Sequence, residues 1–175
     1  MTVFDKVDKE KYSDIWNTPK YIIDSLGDFD LDPCSSEYRK WDSAKTHFTI
    51  KDDGLKQKWF GRVWLNPPYS KASQFMEKLA EHNNGIAFIY TRVETKMFFN
   101  SVWTNASAIF FFKGRVKCYD KEYNLTTSPP ASNCLIAYGK HNSDLLSKCG
   151  LEGVFIDLDI QRIIEAGGRG MKVIE

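Results

Sequence analysis

Short apolar runs recur along the chain, and turn residues and helical patterns separate them. The runs of strand length occupy residues 29–31, 63–65, 86–90, 108–112, 134–138 and 154–158. All are far shorter than the roughly 20 apolar residues that a membrane-spanning helix requires. Continuous apolar runs of this length are typical of strands that are buried on both faces. Their alternation with helical patterns predicts an α/β fold, with a sheet that helices cover on both faces.

Two of these runs end abruptly at polar residues followed by proline. Asp32-Pro33 ends the first run, and Asn66-Pro67-Pro68 ends the second. In open α/β sheets, ligands bind outside the carboxyl ends of the strands. The side chains that follow these two strands are therefore the first candidates for a functional site.

Two short helices are predicted next to these turns. Thr18 is expected to cap the first helix, with Pro19 in its first turn and Gly27 beyond its end. Ser70 is expected to cap a second helix, which begins directly after the Asn66 turn. Both helices would thus begin close to the carboxyl edge of the sheet.

Composition limits the domain count and the class of partner. The chain has 175 residues, of which 42% are hydrophobic and 27% are charged. This is the composition of an ordinary globular protein, and we expect residues 1–175 to form a single domain. The formal net charge is only +1. A nucleic-acid partner would therefore have to bind a local basic patch, because the whole molecule provides no strong positive field.

The cysteines and the first residues indicate a reducing compartment. The four cysteines are widely spaced and form no CxxC pair: Cys34, Cys118, Cys134 and Cys149. We expect neither a structural zinc ion nor another bound metal from this pattern. Residues 1–14 lack the apolar run of a signal peptide. The expected location is the cytoplasm.

Asn66-Pro67-Pro68-Tyr69 carries the most informative chemistry in the sequence. An amino group on a flat ring is a poor nucleophile, because its lone pair is delocalised into the ring. If the Asn66 side-chain oxygen and the Pro67 carbonyl each accept a hydrogen bond from one N–H of this amine, the lone pair of the nitrogen can turn toward an electrophile. Pro68 stiffens the turn, and Tyr69 offers a face on which the ring can stack. The pattern predicts methylation of a planar amino group.

Several blocks in a fixed order extend this interpretation: Asn17-Thr18-Pro19, Phe29-Asp30-Leu31-Asp32-Pro33-Cys34, Asp52-Asp53-Gly54-Leu55, Trp64-Leu65-Asn66-Pro67-Pro68-Tyr69-Ser70, Gly114-Arg115-Val116 and Ser132-Asn133-Cys134-Leu135-Ile136. With this order, the chain resembles the small phage-type DNA N6-adenine methyltransferases, the phage Dam family. The resemblance runs from about residue 16 to residue 138, and residues 139–175 would form a C-terminal helix and strand extension. It implies a Rossmann-like methyltransferase fold with a mostly parallel sheet, and an antiparallel strand near the C-terminal end.

The resemblance also implies a cofactor, a substrate and a set of site residues. The cofactor would be S-adenosylmethionine, and the substrate an adenine extruded from the stack of duplex DNA. The residues implied beside the cofactor are Thr18, Pro19, Asp32, Pro33, Asp53, Leu55 and Asn66. Asp32 would face the methionine end, while Asp53 and Leu55 would hold the adenine ring, with Asp52 as an alternative to Asp53. Such a protein is expected to act in the cytoplasm of a bacterial host.

A basic and aromatic segment is the predicted contact for DNA. Its residues are Lys113, Arg115, Lys117, Tyr119, Lys121 and Tyr123. Basic side chains suit phosphates, and tyrosine rings suit a disturbed base stack. A second, smaller cluster around Trp41 contains Arg39, Lys40 and Lys45. The alternative for residues 113–121 is a solvated strand end with ordinary surface lysines.

Two other classes of function stay open on the sequence alone. The same four-residue turn serves methyltransferases that act on ribosomal RNA guanine or on protein glutamine, which also carry planar amino groups. A DNA-binding module without turnover could retain the same fold. Assays with labelled cofactor would separate these classes from a DNA methyltransferase.

Overall fold

The computed structural model describes residues 16–125, 131–159, 163–167 and 170–174. The helices are α1 (Lys20–Asp24), α2 (Ala72–His82) and α3 (Lys140–Leu146), with a 3-10 turn at Tyr69–Lys71 and a π-helix at Phe98–Trp103. The strands are β1 (Leu31–Asp32), β2 (Thr46–His47), β3 (Val63–Leu65), β4 (Gly85–Tyr90), β5 (Ala108–Phe112), β6 (Asn133–Tyr138), β7 (Gly153–Asp157), β8 (Ile163–Gly167) and β9 (Gly170–Ile174). The α/β class predicted from the sequence is confirmed.

Seven of these strands form one sheet in the order β2-β1-β3-β4-β6-β5-β7, while β8 and β9 pair with each other. Strands β2, β1, β3 and β4 are parallel neighbours. Strand β6 is antiparallel to both β4 and β5, and β7 is antiparallel to β5. The sheet is therefore mixed, and the expectation of a mostly parallel sheet holds only for its β2-to-β4 half. Antiparallel neighbours need no helical crossover, so the path from β5 back to β6 requires none.

Helices cover both faces of the sheet, as predicted. Successive strand residues point to opposite faces, and two buried clusters follow this alternation. One cluster joins Leu65, Ala87 and Ile136 to residues of α2 and the π-helix. The other joins Trp64, Ile86 and Leu135 to residues of α1 and α3. The core thus lies in two layers, and the sheet is the middle layer of three.

The start of β1 differs from the prediction. The backbone N–H groups of Asp30 and Leu31 both donate to the Arg62 carbonyl, over 2.7 and 3.2 Å. Asp30 and Leu31 thus lie opposite the single residue Arg62, as in a β-bulge. Strand β1 therefore begins at Leu31 and not at residue 29. The π-helix and β2 were not predicted. The β8–β9 pair lies in the segment 139–175, for which only a helix and strand extension was expected.

Both helix caps also differ from the prediction. Pro19 is the N-cap of α1, and Thr18 precedes it. The Thr18 hydroxyl accepts a hydrogen bond from the Asn66 side chain, so it has a role outside the helix. Lys71 is the N-cap of α2, because the 3-10 turn that contains Ser70 comes first.

Two negative findings apply to the described ranges. No helix there is long and apolar enough to cross a bilayer. The four cysteines are free thiols.

Candidate active site

A cleft of about 280 Å³ lies at the carboxyl ends of β1 and β3. In the sheet, β2 lies on one side of β1 and β3 lies on the other side, although β2 and β3 follow β1 in turn along the chain. Such reversals of strand order leave a crevice at the carboxyl edge of the sheet. The cleft is lined by six of the residues predicted for catalysis or cofactor binding: Thr18, Asp32, Pro33, Asp53, Asn66 and Pro68.

Asn66 is held in one orientation by the segment that precedes α1. Its side-chain Nδ2 donates to the Trp16 carbonyl over 2.6 Å and to the Thr18 hydroxyl over 3.2 Å. An amide nitrogen has two protons, so both are engaged. The side-chain oxygen consequently points away from these partners and is the atom left to accept protons from a ligand. The Asn66 backbone carbonyl accepts a hydrogen bond from the Cys34 thiol, over 3.3 Å.

Asp32 is a buried carboxylate at the end of β1, only 5% exposed. One oxygen accepts from the Cys34 backbone N–H over 3.1 Å, and the other accepts from the Ser43 hydroxyl. Burial raises the pKa of Asp32 from 3.8 to about 6, although these hydrogen bonds oppose the rise. At neutral pH the carboxyl is therefore ionised in a poorly solvated place, where a cationic ligand group would stabilise it.

The loop that contains Asp53 packs directly against the turn after β1. A Cβ atom at Gly54 would overlap the Pro33 carbonyl, so the close approach of the two backbones requires glycine here. Asp53 has a positive φ of 51° and an ion pair of 2.9 Å with Lys56. This ion pair holds the pKa of Asp53 below its ordinary value.

Lys78 of α2 anchors the same loop from behind. Its Nζ donates to the Leu55 carbonyl over 2.5 Å and to the Gln57 carbonyl over 2.6 Å. The Trp59 indole N–H donates to the Gly54 carbonyl over 2.8 Å. The helix that follows the Asn66 turn thus fixes the position of the loop that carries Asp53.

Four predicted site residues do not line the cleft. Pro19 and Pro67 are buried beside it. Leu55 packs on the core cluster beneath α2. Tyr69 is 40% exposed, and its ring stacks on that of Tyr90 with centroids 4.3 Å apart and an interplanar angle of 8°. An apolar side chain that does line the cleft is Ile50, which is 84% exposed.

The two predicted basic segments meet in space. Trp41 lies edge-on to both Tyr119 and Tyr123, with ring centroids 5.6 Å away in each case. The Lys40 ammonium lies 4.9 Å from the Tyr123 ring centroid. Tyr119 also exchanges two backbone hydrogen bonds with Asn17, which lines the cleft. We call Trp41, Tyr119 and Tyr123 the aromatic cluster; it joins both segments at the mouth of the cleft.

The basic side chains around the aromatic cluster are mainly solvated. Lys113, Arg115, Lys117 and Lys121 are exposed. In the second segment, Lys45 forms an ion pair with Asp30, and Arg39 forms one with Asp42. Arg39 also lines the cleft. None of the other basic residues of the two segments lines the cleft, and the Lys113 ammonium lies 4.0 Å from a Glu152 carboxylate oxygen.

Several residues of the site were not found by sequence reasoning. Ser43 bonds to Asp32, the Trp16 carbonyl orients Asn66, and Lys78 holds the Asp53 loop. Each of these contacts joins residues that are at least 11 positions apart. No local pattern signals such contacts, because a single serine, carbonyl or lysine looks the same at any surface position.

Metal chemistry has no candidate ligand set in the part of the chain that the structure describes. No group of three or more His, Cys, Asp or Glu side chains there is arranged to hold an ion.

Comparison with known proteins gives one family and one curated relative. The sequence model of the family described as DNA N-6-adenine-methyltransferase (Dam) matches residues 6–143. A curated protein of Escherichia phage T1, named DNA N-6-adenine-methyltransferase, is 32% identical over 110 residues. The match covers 57% of this chain and 45% of the phage protein, so the chain spans about half the length of that relative. No solved structure is significantly similar to the chain.

Proposed function

The chain belongs to the DNA N-6-adenine-methyltransferase (Dam) family, and from this premise we propose that it methylates the exocyclic N6 amine of adenine in DNA. The methyl donor is S-adenosylmethionine. One observation carries the proposal beyond family membership. Both protons of the Asn66 amide are engaged by Trp16 and Thr18, which leaves its oxygen as an acceptor at the cleft.

In this mechanism two acceptors prepare the amine. The Asn66 side-chain oxygen and the Pro67 carbonyl each accept a hydrogen bond from one N6–H, so the nitrogen moves toward tetrahedral geometry and its lone pair leaves the ring system. Pro67 and Pro68 have no backbone N–H, and thus the turn offers acceptors without competing donors. Tyr69 stacks on the adenine. No histidine base is needed, because the amine can lose its proton late, to water.

The cleft residues fit the chemistry of the methyl donor. When bound, S-adenosylmethionine supplies an activated methyl group on a sulfonium. The ionised, buried Asp32 suits an ammonium group. Thr18 and Pro33 line the cleft with it, and Pro19 is buried next to Thr18.

The other end of the cofactor is an adenine ring, which needs an acidic acceptor and an apolar contact. Asp53 provides the carboxylate on a loop that Lys78 anchors. Leu55 packs beneath this loop, and the exposed Ile50 is the apolar side chain within the cleft. We therefore assign the ring contact to Ile50, with Leu55 as support.

The DNA contact is the surface around the aromatic cluster. An adenine inside a duplex hides its amine from a cleft at the edge of a sheet, so the base is extruded before transfer. Lys113, Arg115, Lys117 and Lys121 bind phosphates, and Tyr119 and Tyr123 face the disturbed stack. The contact between Trp41 and both tyrosines supports a single surface formed by both segments.

The family also guides three broader assignments. We assign the fold to the Rossmann-like methyltransferases, with β1 to β4 as its parallel half. We propose one methyltransferase domain over residues 1–175; the family match runs to residue 143, five residues beyond the expected boundary at 138. The protein acts in the cytoplasm of a bacterial host, as the similarity to a phage protein suggests.

A transfer assay with methyl-labelled S-adenosylmethionine tests the proposal. Duplex DNA, ribosomal RNA and a release-factor protein are offered separately to the wild type, to Asn66→Ala and to Asn105→Ala. Asn105 is exposed and does not line the cleft, so it is the matched control. We expect the wild type and Asn105→Ala to transfer label to DNA but not to RNA or protein, and Asn66→Ala to transfer no label. Label in RNA or protein instead, or no label with any acceptor, contradicts the proposal.

A further inference from the structure

Arg39 has a position in the site that the other basic residues do not share. The sequence groups it with Lys40 and Lys45, yet of these three only Arg39 lines the cleft. Its Nε donates to an oxygen of Asp42 over 3.2 Å. No described residue accepts a hydrogen bond from its two Nη groups. A guanidinium carries five N–H donors in a planar fork, so most of this fork is available to a ligand.

The loop between β1 and β2 places Arg39 close to Asp32. The Ser43 hydroxyl donates to one Asp32 oxygen, and the preceding residue, Asp42, holds the Arg39 guanidinium. The backbone N–H of Arg39 donates to the carbonyl of Ser36, which also lines the cleft. Burial raises the pKa of Asp32, and the charge of Arg39 is among the effects that oppose this rise. The guanidinium and the buried carboxylate are therefore neighbours in the cleft.

Asp32 also differs from the other acidic side chains that line the cleft. Glu37 forms an ion pair of 2.6 Å with Lys51, and Asp53 forms one of 2.9 Å with Lys56. In the described part of the chain, Asp32 has no cation within ion-pair distance, and its hydrogen-bond donors, a backbone N–H and a hydroxyl, are neutral. The carboxylate that lacks a cationic partner is thus the one beside Arg39.

The second cationic side chain of the cleft, Lys71, acts on a different carboxylate. Its charge contributes to the lowered pKa of Asp53, which is caused mainly by the hydrogen bond from Lys56. The amino-acid end of the methyl donor carries an ammonium and a carboxylate on the same carbon atom. It needs an unpaired anion and a cation side by side, and Asp32 and Arg39 provide both. The planar fork of an arginine can bind a carboxylate through two parallel N–H groups.

We propose that Arg39 binds the carboxylate of the methionine portion of the methyl donor, next to the ammonium that Asp32 faces. This inference rests on the proposed function, and it separates Arg39 from the expected DNA contact. The site then favours a ligand that carries both charges. A ligand with the amine but without the carboxylate receives no stabilisation from the Arg39 fork.

Calorimetric titration of the full chain at pH 8, where Asp32 is ionised, tests the inference with two ligands. One is S-adenosylhomocysteine, and the other is its analogue that lacks the carboxylate but retains the amine. Arg39→Met removes the fork, and Arg39→Lys retains the charge alone. Lys40→Met is the matched control, because Lys40 is the next residue, is exposed and does not line the cleft.

We expect Arg39→Met to weaken the binding of S-adenosylhomocysteine by roughly tenfold or more. This is the lower end for a hydrogen bond to a charged group, because the Arg39 side chain is 34% exposed. Arg39→Lys should lose less, because it keeps the charge. The analogue should bind Arg39→Met as tightly as the wild type, and Lys40→Met should bind both ligands normally. If Arg39→Met does not fold, Arg39→Gln replaces it.

Three results would overturn the inference. Unchanged affinity of Arg39→Met for S-adenosylhomocysteine would show that Arg39 does not bind the carboxylate, and weaker DNA binding by this variant would return Arg39 to the DNA contact. Equal losses for both ligands would show that Arg39 acts through Asp32 or the loop. An equal loss with Lys40→Met would reduce the effect to net charge. A wild type that binds neither ligand, or transfers no methyl group to DNA, would instead refute the proposed function, and the inference with it.

Discussion

Replacing Asp32 by asparagine should stabilise the fold and weaken cofactor binding at the same time. The Asp32 carboxyl is buried, and its pKa is raised from 3.8 to about 6. A carboxyl whose pKa is raised by folding does not change the free energy of unfolding at pH values below its pKa in the unfolded chain. It destabilises the native state progressively as the pH rises through the folded pKa. The difference between 3.8 and about 6 corresponds to about 3 kcal/mol at pH 7.5, of which about half remains at pH 5.

Asparagine fits the same hydrogen bonds without the charge. Its oxygen can accept from the Cys34 N–H, and its amide nitrogen can donate to the Ser43 hydroxyl, which is able to accept. We therefore expect Asp32→Asn to raise the free energy of unfolding by up to about 3 kcal/mol at pH 7.5. In a chain of this size that is a rise in Tm of roughly 6–12 °C. Cofactor affinity should fall by about 1.5–3 kcal/mol, the usual value of a hydrogen bond to a charged group.

Urea denaturation at pH 5 and pH 7.5, with calorimetric titration of S-adenosylhomocysteine, measures both effects. Asp159→Asn is the control, because Asp159 is exposed and does not line the cleft. The stability difference between Asp32→Asn and the wild type should roughly halve from pH 7.5 to pH 5. Wild-type cofactor affinity should weaken as the pH falls below about 6. A variant that is no more stable than the wild type, or equally different at both pH values, would refute this account of the buried carboxylate.

Three further changes test other parts of the site. Asn66→Ala should lower kcat by roughly a hundredfold or more in a methyl-transfer assay, with little change in cofactor affinity, because it removes one aligned acceptor. Tyr69→Phe should retain activity in a kinetic assay on DNA, whereas Tyr69→Ala should lose about 1–3 kcal/mol of base stacking; equal activities would remove the stacking role. Neutralising Lys117 and Lys121 should weaken DNA binding and lower the slope of log affinity against log salt by about 0.9 per lost phosphate contact, with cofactor affinity unchanged. Parallel slopes in that salt titration would locate the phosphate contacts elsewhere.

The parts of the site that sequence predicted are those that depend on local chain order. An apolar strand followed by Asn66-Pro67-Pro68 must leave polar acceptors at the end of that strand, and the same holds for Asp32 after β1. Parallel neighbours bring such ends to one edge of the sheet. This is why Asp32 and Asn66 line the same cleft, as their positions after neighbouring strands suggested.

The parts that sequence missed depend on long-range contacts. Trp41 contacts Tyr119 and Tyr123 across about 80 residues of sequence, so the two basic segments looked separate. The Thr18 hydroxyl resembled a helix cap, yet it bonds to Asn66. The sheet was expected to be mostly parallel, and the resemblance placed only one antiparallel strand near its end. Periodicity reports burial and not strand direction, and thus it could not reveal that both β6 and β7 run antiparallel to β5.

Nucleoside analysis of DNA tests the central claim most directly. The wild type and Asn66→Ala are expressed in a bacterial strain that lacks its own adenine methyltransferases, and digested plasmid DNA is analysed by mass spectrometry. The account predicts N6-methyladenine in DNA from cells with the wild type, and a loss of roughly a hundredfold or more with Asn66→Ala. DNA without N6-methyladenine in the presence of folded wild-type protein, or equal amounts with both proteins, would contradict it.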